Sequence, residues 1–358
     1  MPTASFSLQI GVAPAYELLL SLGVMSDTPG RHAYELDNSW FEQARKAASP
    51  ALLQQIDAFS GTDMLWAHLL SLAYEALVPG DVPAFLKHVE QTDAEEVRLR
   101  FLGYYVRHLR RLTPPDVIAA AAAGDSRAQA EFLRTSQPTD EGWQQALRAV
   151  LPLGAEETKY RLLEIARGWH EQVFRAQEAS VMPIVERDAE RKEALLRTST
   201  PERLLQLALP GYDYLPEPGI RHVLLIPSWF VRPQIYVLDH AETKIFACGV
   251  DEETLRAGAD VPSPRLLRLA KALGDERRLR ILKRLTAGDR TLHELAVAFG
   301  VSDTTMLHHL IILRGARLIR VQGGSGKRYR LQRDVLPEMG HLLAEYLTAE
   351  EGDVAHTP

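Results

Sequence analysis

Few residues of this 358-residue chain sit at spacings that chemistry requires. His293-Glu294 opens like the metal-binding helix of a zinc hydrolase, but Val297 stands where the second histidine is needed. Gly324-Ser325-Gly326-Lys327-Arg328 has the lysine of a phosphate loop. It lacks the first glycine at the required distance, and Arg328 replaces the hydroxyl residue that would follow. A nucleophile elbow at Gly323-Gly324-Ser325-Gly326-Lys327 fails because Lys327 takes the place of the closing glycine. Cys248 is the sole cysteine, which excludes an intrachain disulfide and a cysteine zinc cluster. Set in an apolar run, it reads as a small buried hydrophobe rather than a redox sensor. His32, His68, His88, His108 and His170 are too scattered to form a site by sequence. No enzyme activity, cofactor or metal is therefore expected. What remains is a run, Ser302, Asp303, Thr304, Thr305, Leu307, His308, His309 and Arg314, whose hydroxyls, imidazoles and guanidinium can donate to a polyanion, then Lys327-Arg328 beside glycines.

Those residues need elements to position them. A short helix over 265–272 ends at Leu273-Gly274, and Asp275 is a good cap for a second helix through Leu285. Ile281, Leu282 and Leu285 form its inward face, while Arg277, Arg278, Arg280, Lys283 and Arg284 stay largely outside. Thr291 with Glu294 is a capping pair for a third helix, 293–299. Gly300-Val301 makes a tight turn, and Ser302 caps a fourth helix to about Leu313. Helix, glycine turn and capped helix make a helix-turn-helix. Two strand-like runs, 318–321 and 327–331, flank the glycine loop 322–326 as a hairpin or wing. Asp334 is expected to cap a last helix over 336–347.

The run Leu269-Ala270-Lys271-Ala272-Leu273-Gly274-Asp275-Glu276-Arg277-Arg278-Leu279-Arg280-Ile281-Leu282 resembles the opening signature of ArsR/SmtB-type winged helix-turn-helix regulators. Val301 to Leu310, through Leu313-Arg314, is similar to their recognition helix. The resemblance covers 264–348. It implies a cytoplasmic homodimer that binds double-stranded operator DNA, usually as a repressor. It also implies a dimer interface on the first and last helices of the module, here Leu266, Leu269, Leu336, Leu343 and Leu347. His309 in such proteins is either core or a backbone contact. The family's metal sites are not matched. The cysteine segment of the third helix is Glu294-Leu295-Ala296-Val297-Ala298 here, and on the last helix only a His341–Glu345 pair remains. The chain departs from the family at Leu307, where a small polar residue is usual, at Ile311, and at Arg317, which replaces a common glycine.

Charge agrees with this division. The chain totals −6, but 264–348 holds 16 Lys+Arg against 8 Asp+Glu, net +8, and the remainder is −14. A basic module is thus attached to an acidic body that repels polyanions.

Upstream, 6–12 alternates like a strand, and helices are expected over 39–47, 50–58, 62–77, 93–112 and 114–123. The stretch 155–197 reads as one long helix, kinked or split by Pro183. Mixed charges over 186–193 read as a solvated face. Three β-rich runs, 222–226, 234–238 and 244–248, read as a meander of successive neighbours. Val223 to Pro233 also resembles a segment of unusually long ArsR-like regulators, a likeness that carries no ligand with it. All five tryptophans lie upstream of the module, as core or as the lining of a ligand pocket. The longest apolar stretches, such as 15–25 interrupted by Glu17, are too short to span a membrane. No secretory signal opens the chain.

The expected fold is α+β, predominantly α. A mostly helical body (1–208) is followed by a β meander packed on it (209–257), a linker (258–264), a winged helix-turn-helix (265–348) and a tail (349–358). Three roles are open for the body: sensing a small molecule or protein effector, scaffolding a dimer, or an enzymatic domain fused to the reader.

Overall fold

The computed structural model describes residues 6–27, 31, 34–59, 62, 64–76, 81–137, 140–251, 254, 262–322 and 327–348. The expected tail, the first part of the expected linker and the glycines of the wing loop lie outside the described residues. The architecture is α+β and mostly helical. It divides into two compact units, Met1–Glu193 with Gly219–Gly249, and Ala194–Pro218 with Val250–Pro358.

In chain order, β1 is Ser7–Ile10 and α1 is Pro14–Ser26. There follow α2 Asn38–Ala47, α3 Pro50–Ala58, α4 Met64–His68, α5 Leu70–Glu75, α6 Val82–Gln91 and α7 Ala94–Phe101. Then come α8 Arg107–Leu112, α9 Pro115–Ala122, α10 Ser126–Thr135, α11 Glu141–Val150, α12 Ala155–Trp169, a π turn at His170–Phe174 and α13 Arg175–Thr198. Next are α14 Pro201–Ala208 and the strands β2 Tyr212–Asp213, β3 His222–Ser228, β4 Ile235–His240 and β5 Thr243–Gly249. The C-terminal elements are α15 Pro264–Leu273, α16 Glu276–Leu285, β6 Arg290–Thr291, α17 Leu292–Phe299, α18 Asp303–Gly315, β7 Ile319–Gln322, β8 Arg328–Leu331 and α19 Glu338–Thr348.

The first unit is built around α1, whose residues from Ala15 to Ser26 are all buried. The apolar stretch interrupted by Glu17 is therefore a central core helix. Trp66, Trp143 and Trp169 are fully buried, so these three serve the core. The stretch 93–112 is broken into α7 and α8 at Gly103, whose φ is +80°. A Cβ there would lie 2.4 Å from Leu109 Cδ1 and 2.8 Å from His68 Cε1, so the two helices meet this closely only around glycine.

The long stretch 155–197 is helical throughout, widening into a π turn between α12 and α13, and Pro183 lies inside α13 without splitting it. The wider turn brings Trp169 and Phe174, five residues apart, both fully into the core. The Trp169 indole donates to Ser21 Oγ of α1 at 2.9 Å.

The meander is corrected. The sheet order is β1-β3-β5-β4, with β3 parallel to both β1 and β5 and only β4 antiparallel to β5. The signal lay in Val223-Leu224-Leu225-Ile226, a continuous apolar run that is buried throughout. Such runs mark a strand covered on both faces, whereas a solvated meander alternates.

In the second unit, a four-stranded sheet has the order β2-β7-β8-β6. Tyr212–Asp213, grouped by sequence with the meander, pairs instead with β7. The last helix also starts later than expected. Asp334 sits in a turn, with Glu338 N donating to Val335 O, and α19 begins just after Pro337, which has no amide hydrogen of its own to contribute.

Candidate nucleic-acid interface

The site is assembled from α17, its turn and α18. Thr291 accepts from Glu294 N while the Glu294 carboxylate accepts from Thr291 N, a reciprocal cap that starts α17. Gly300 ends it at φ +64°, the left-handed conformation glycine adopts without cost. Ser302 then caps α18 by accepting from Thr305 N at 3.1 Å. The helix axes of α17 and α18 bend by 112°, the angle of a helix-turn-helix. Met306, Leu310 and Leu313 anchor α18 inward. Among the described residues this apolar pair is the only bent pair of helices with the length and apolarity to raise a membrane question, and no single described helix is long and apolar enough to cross one.

Inward anchoring at those positions leaves the opposite face outside. Ser302, Thr304, Thr305 and Leu307 are exposed, with Asp303, His308 and Arg314 partly so. Asp303 Oδ1 lies 3.3 Å from His293 Nδ1 of α17, which ties the first turn of α18 to the preceding helix. The Ser302 and Thr305 hydroxyls are 2.9 Å apart and partly engaged with each other. His309 differs from its neighbours. It is only 9% exposed, near the Asp275 carboxylate, and is withdrawn from the outer face of α18. Burial lowers its pKa, although the Asp275 carboxylate pulls the other way.

The wing carries Lys327 and Arg328, both exposed. The Arg328 guanidinium donates to the Asp289 carbonyl at 3.0 Å. Arg330, which sequence reading passed over, is also exposed and is held by the Asp289 carboxylate at 2.8 Å. That pairing keeps Asp289 below the usual carboxylate range. The signal for Arg330 was alternation along β8, which puts it two residues from Arg328 and on the same face. Arg317 adopts φ +55°, the left-handed conformation that favours glycine.

The implied dimer residues separate into two groups. Leu266 and Leu269 are buried inside their own unit, at 5% and 0% exposure, and this corrects their assignment. Ser263 caps α15 and its inward phase runs through Leu266, Leu269 and Ala272, so the outward leucine is Leu267. Leu336, Leu343 and Leu347 are exposed, the last two at 42% and 70% on α19. An Arg265–Glu338 ion pair fastens α15 to α19. Among the described residues no group of three or more His, Cys, Asp or Glu side chains could hold a metal ion.

A capped helix-turn-helix followed by a β hairpin defines the winged helix-turn-helix class of DNA-binding domain. Residues 275–321 match the family model described as bacterial regulatory protein, arsR family. The chain thus carries an ArsR-family helix-turn-helix behind a long N-terminal region, and this domain places it in DNA-binding transcription regulation. No curated protein and no solved structure matches the chain.

Proposed function

We propose that this protein is a homodimeric, cytoplasmic repressor that binds a pseudo-palindromic operator through two copies of α18. The observation that carries the reading is the outer face of α18, where Thr304, Thr305, Leu307 and His308 lie outside while the next turn is anchored in the core. Threonine hydroxyls and an imidazole suit phosphates and base acceptors, and Leu307 suits a thymine methyl. Lys327 and Arg328 extend the contact to flanking phosphates. The exposed Leu343 and Leu347 on α19, with Leu267, supply an apolar surface suited to a second copy.

The first unit is assigned the response to a small molecule or protein effector, and no catalysed reaction is proposed for it. Its acidic composition supports the division, because an acidic body restrains non-specific attraction to DNA. The test is genome-wide footprinting of the protein. Footprints at a few promoters containing inverted repeats support the reading, and footprints without sequence preference contradict it. A thermal-shift screen of cell-extract fractions addresses the effector, since a ligand of the folded state raises the melting temperature. No shift with any fraction favours a scaffold.

A further inference from the structure

Strand β2 comes from far upstream of α15, yet it completes the sheet that carries the wing. Tyr212 pairs with Val321 and Asp213 with Gln322 in parallel register. Val321 N donates to Gly211 O at 2.8 Å. Without β2, β7 would be an edge strand with unpaired backbone groups. The Asp213 carboxylate lies 2.7 Å from the Arg320 guanidinium of β7. Tyr212 is buried, as are Leu204, Leu205 and Leu209 before it, so the segment is seated by apolar contacts as well.

Gly211 sits where the recognition helix passes into the wing. Its φ is +76°, and a Cβ there would lie 2.7 Å from Arg314 Cγ and 3.0 Å from the carbonyl oxygens of Arg314 and Ile319. One backbone position thus touches the last turn of α18 and the first residue of β7 together. Only glycine has both the conformation and the absent side chain this requires. The angle between α18 and the wing decides whether both reach one DNA duplex.

We propose that Gly211 and Asp213 are positioning residues for DNA binding, fixing the wing against the recognition helix, so that the DNA-reading site includes a segment that precedes the winged helix in the chain. This inference rests on the DNA-binding reading above.

The test uses the full chain and a labelled mixed-sequence DNA duplex at fixed low salt. Gly211→Val is expected to weaken binding by about tenfold or more, with an unchanged far-UV CD spectrum. Asp213→Lys gains positive charge, which by counterion release alone would tighten binding, yet it is expected to weaken it because the introduced ammonium would repel Arg320. Asp213→Glu should bind like the wild type. A cysteine pair, Asp213→Cys with Gln322→Cys, adds a redox readout, because the one native cysteine, Cys248, is buried. Cα atoms of directly paired strands lie within disulfide reach. The reduced pair should bind weakly and the oxidised pair should recover.

If Gly211→Val does not fold, Asp213→Lys and the cysteine pair still decide. Tighter binding by Asp213→Lys with a salt slope steeper by about 1, or binding by the cysteine pair that ignores its redox state, overturns the positioning role alone. A wild-type chain that binds no duplex overturns the DNA-binding reading and this inference with it.

Discussion

The two units differ in where they hold most of their notable charge. The first keeps ionisable groups inside: Glu17, His68 and Arg98 are buried, and so are the Asp188–Lys192 and Asp239–Lys244 pairs. The second spreads its charge outward along α16 and the wing, where Arg277, Arg280, Lys283, Arg284, Lys327 and Arg328 are all exposed. Buried charges cost stability unless each is partnered, and they make a structure responsive to pH and to bound ions. Exposed charges contribute little to stability but set attraction to a polyanion. The first unit therefore holds charge in its interior, and the second presents it at the surface of α16 and the wing.

The largest expected effect tests the reader's apolar surface. Leu343→Asp together with Leu347→Asp should convert a dimer to monomers in analytical ultracentrifugation. Each loss counts twice in a symmetric dimer and sums to roughly 3 kcal/mol or more. An unchanged sedimentation coefficient would remove α19 from the interface.

The next effect lies in the first unit. Glu17 accepts from Trp229 N at 3.1 Å, and burial pushes its carboxyl up to about 7 despite help from Ser228, the Trp229 and Phe230 amides and Arg232. Because its folded pKa lies above the unfolded one, stability is highest below about pH 4.5 and is lost as pH rises through about 7. Glu17→Gln should therefore stabilise the protein at pH 8 by up to about 3 kcal/mol in denaturant melts. It should leave stability near pH 4 almost unchanged. His68 acts in the other direction. Burial lowers it to about 4, with its Nδ1 2.9 Å from Phe101 O. Its contribution is present above about 6.5 and is lost as pH falls toward 4. A Glu17→Gln protein with an unaltered alkaline limb would end the contrast between the units.

A smaller effect reads the wing. Lys327→Ala with Arg328→Ala should weaken binding to every duplex alike and lower the salt slope by about 2. A loss confined to one sequence would mean that these residues read bases. The smallest effect is a control on the exposed surface of α17: Val297→Ser should alter stability by no more than about 0.5 kcal/mol.

The reader was the legible part, because its determinants are local. Thr291, Glu294, Gly300 and Ser302 specify three helix ends and the turn between two of them within a dozen residues, and the structure places all four in those roles. The first unit was less legible, because its determinants join distant residues. No local pattern says that 222–228 pairs with 243–249 rather than with its nearer neighbour, although the unbroken apolar run hinted at a covered strand. Pro183 does not split its helix, and the local irregularity falls at the π turn between the buried Trp169 and Phe174, which no sequence period marks. Leu266 and Leu269 followed the family's interface, while the actual phase of α15 turns them inward. Strand β2 is two residues long, too short for periodicity to reveal, and only pairing with β7 discloses it. His309 lies one residue from the outward His308, a difference of about 100° around the helix, which sequence spacing alone left open.

The central claim is that α18 reads DNA as part of a symmetric pair. Selection of bound sequences from a random duplex pool by the full chain tests it most directly. The expected result is an inverted repeat with half-site centres about one helical turn, 10–10.5 base pairs, or a multiple of it apart, with enrichment lost in a Thr304→Ala, His308→Ala variant. A pool that stays random, or a repeat that survives those substitutions, would contradict it.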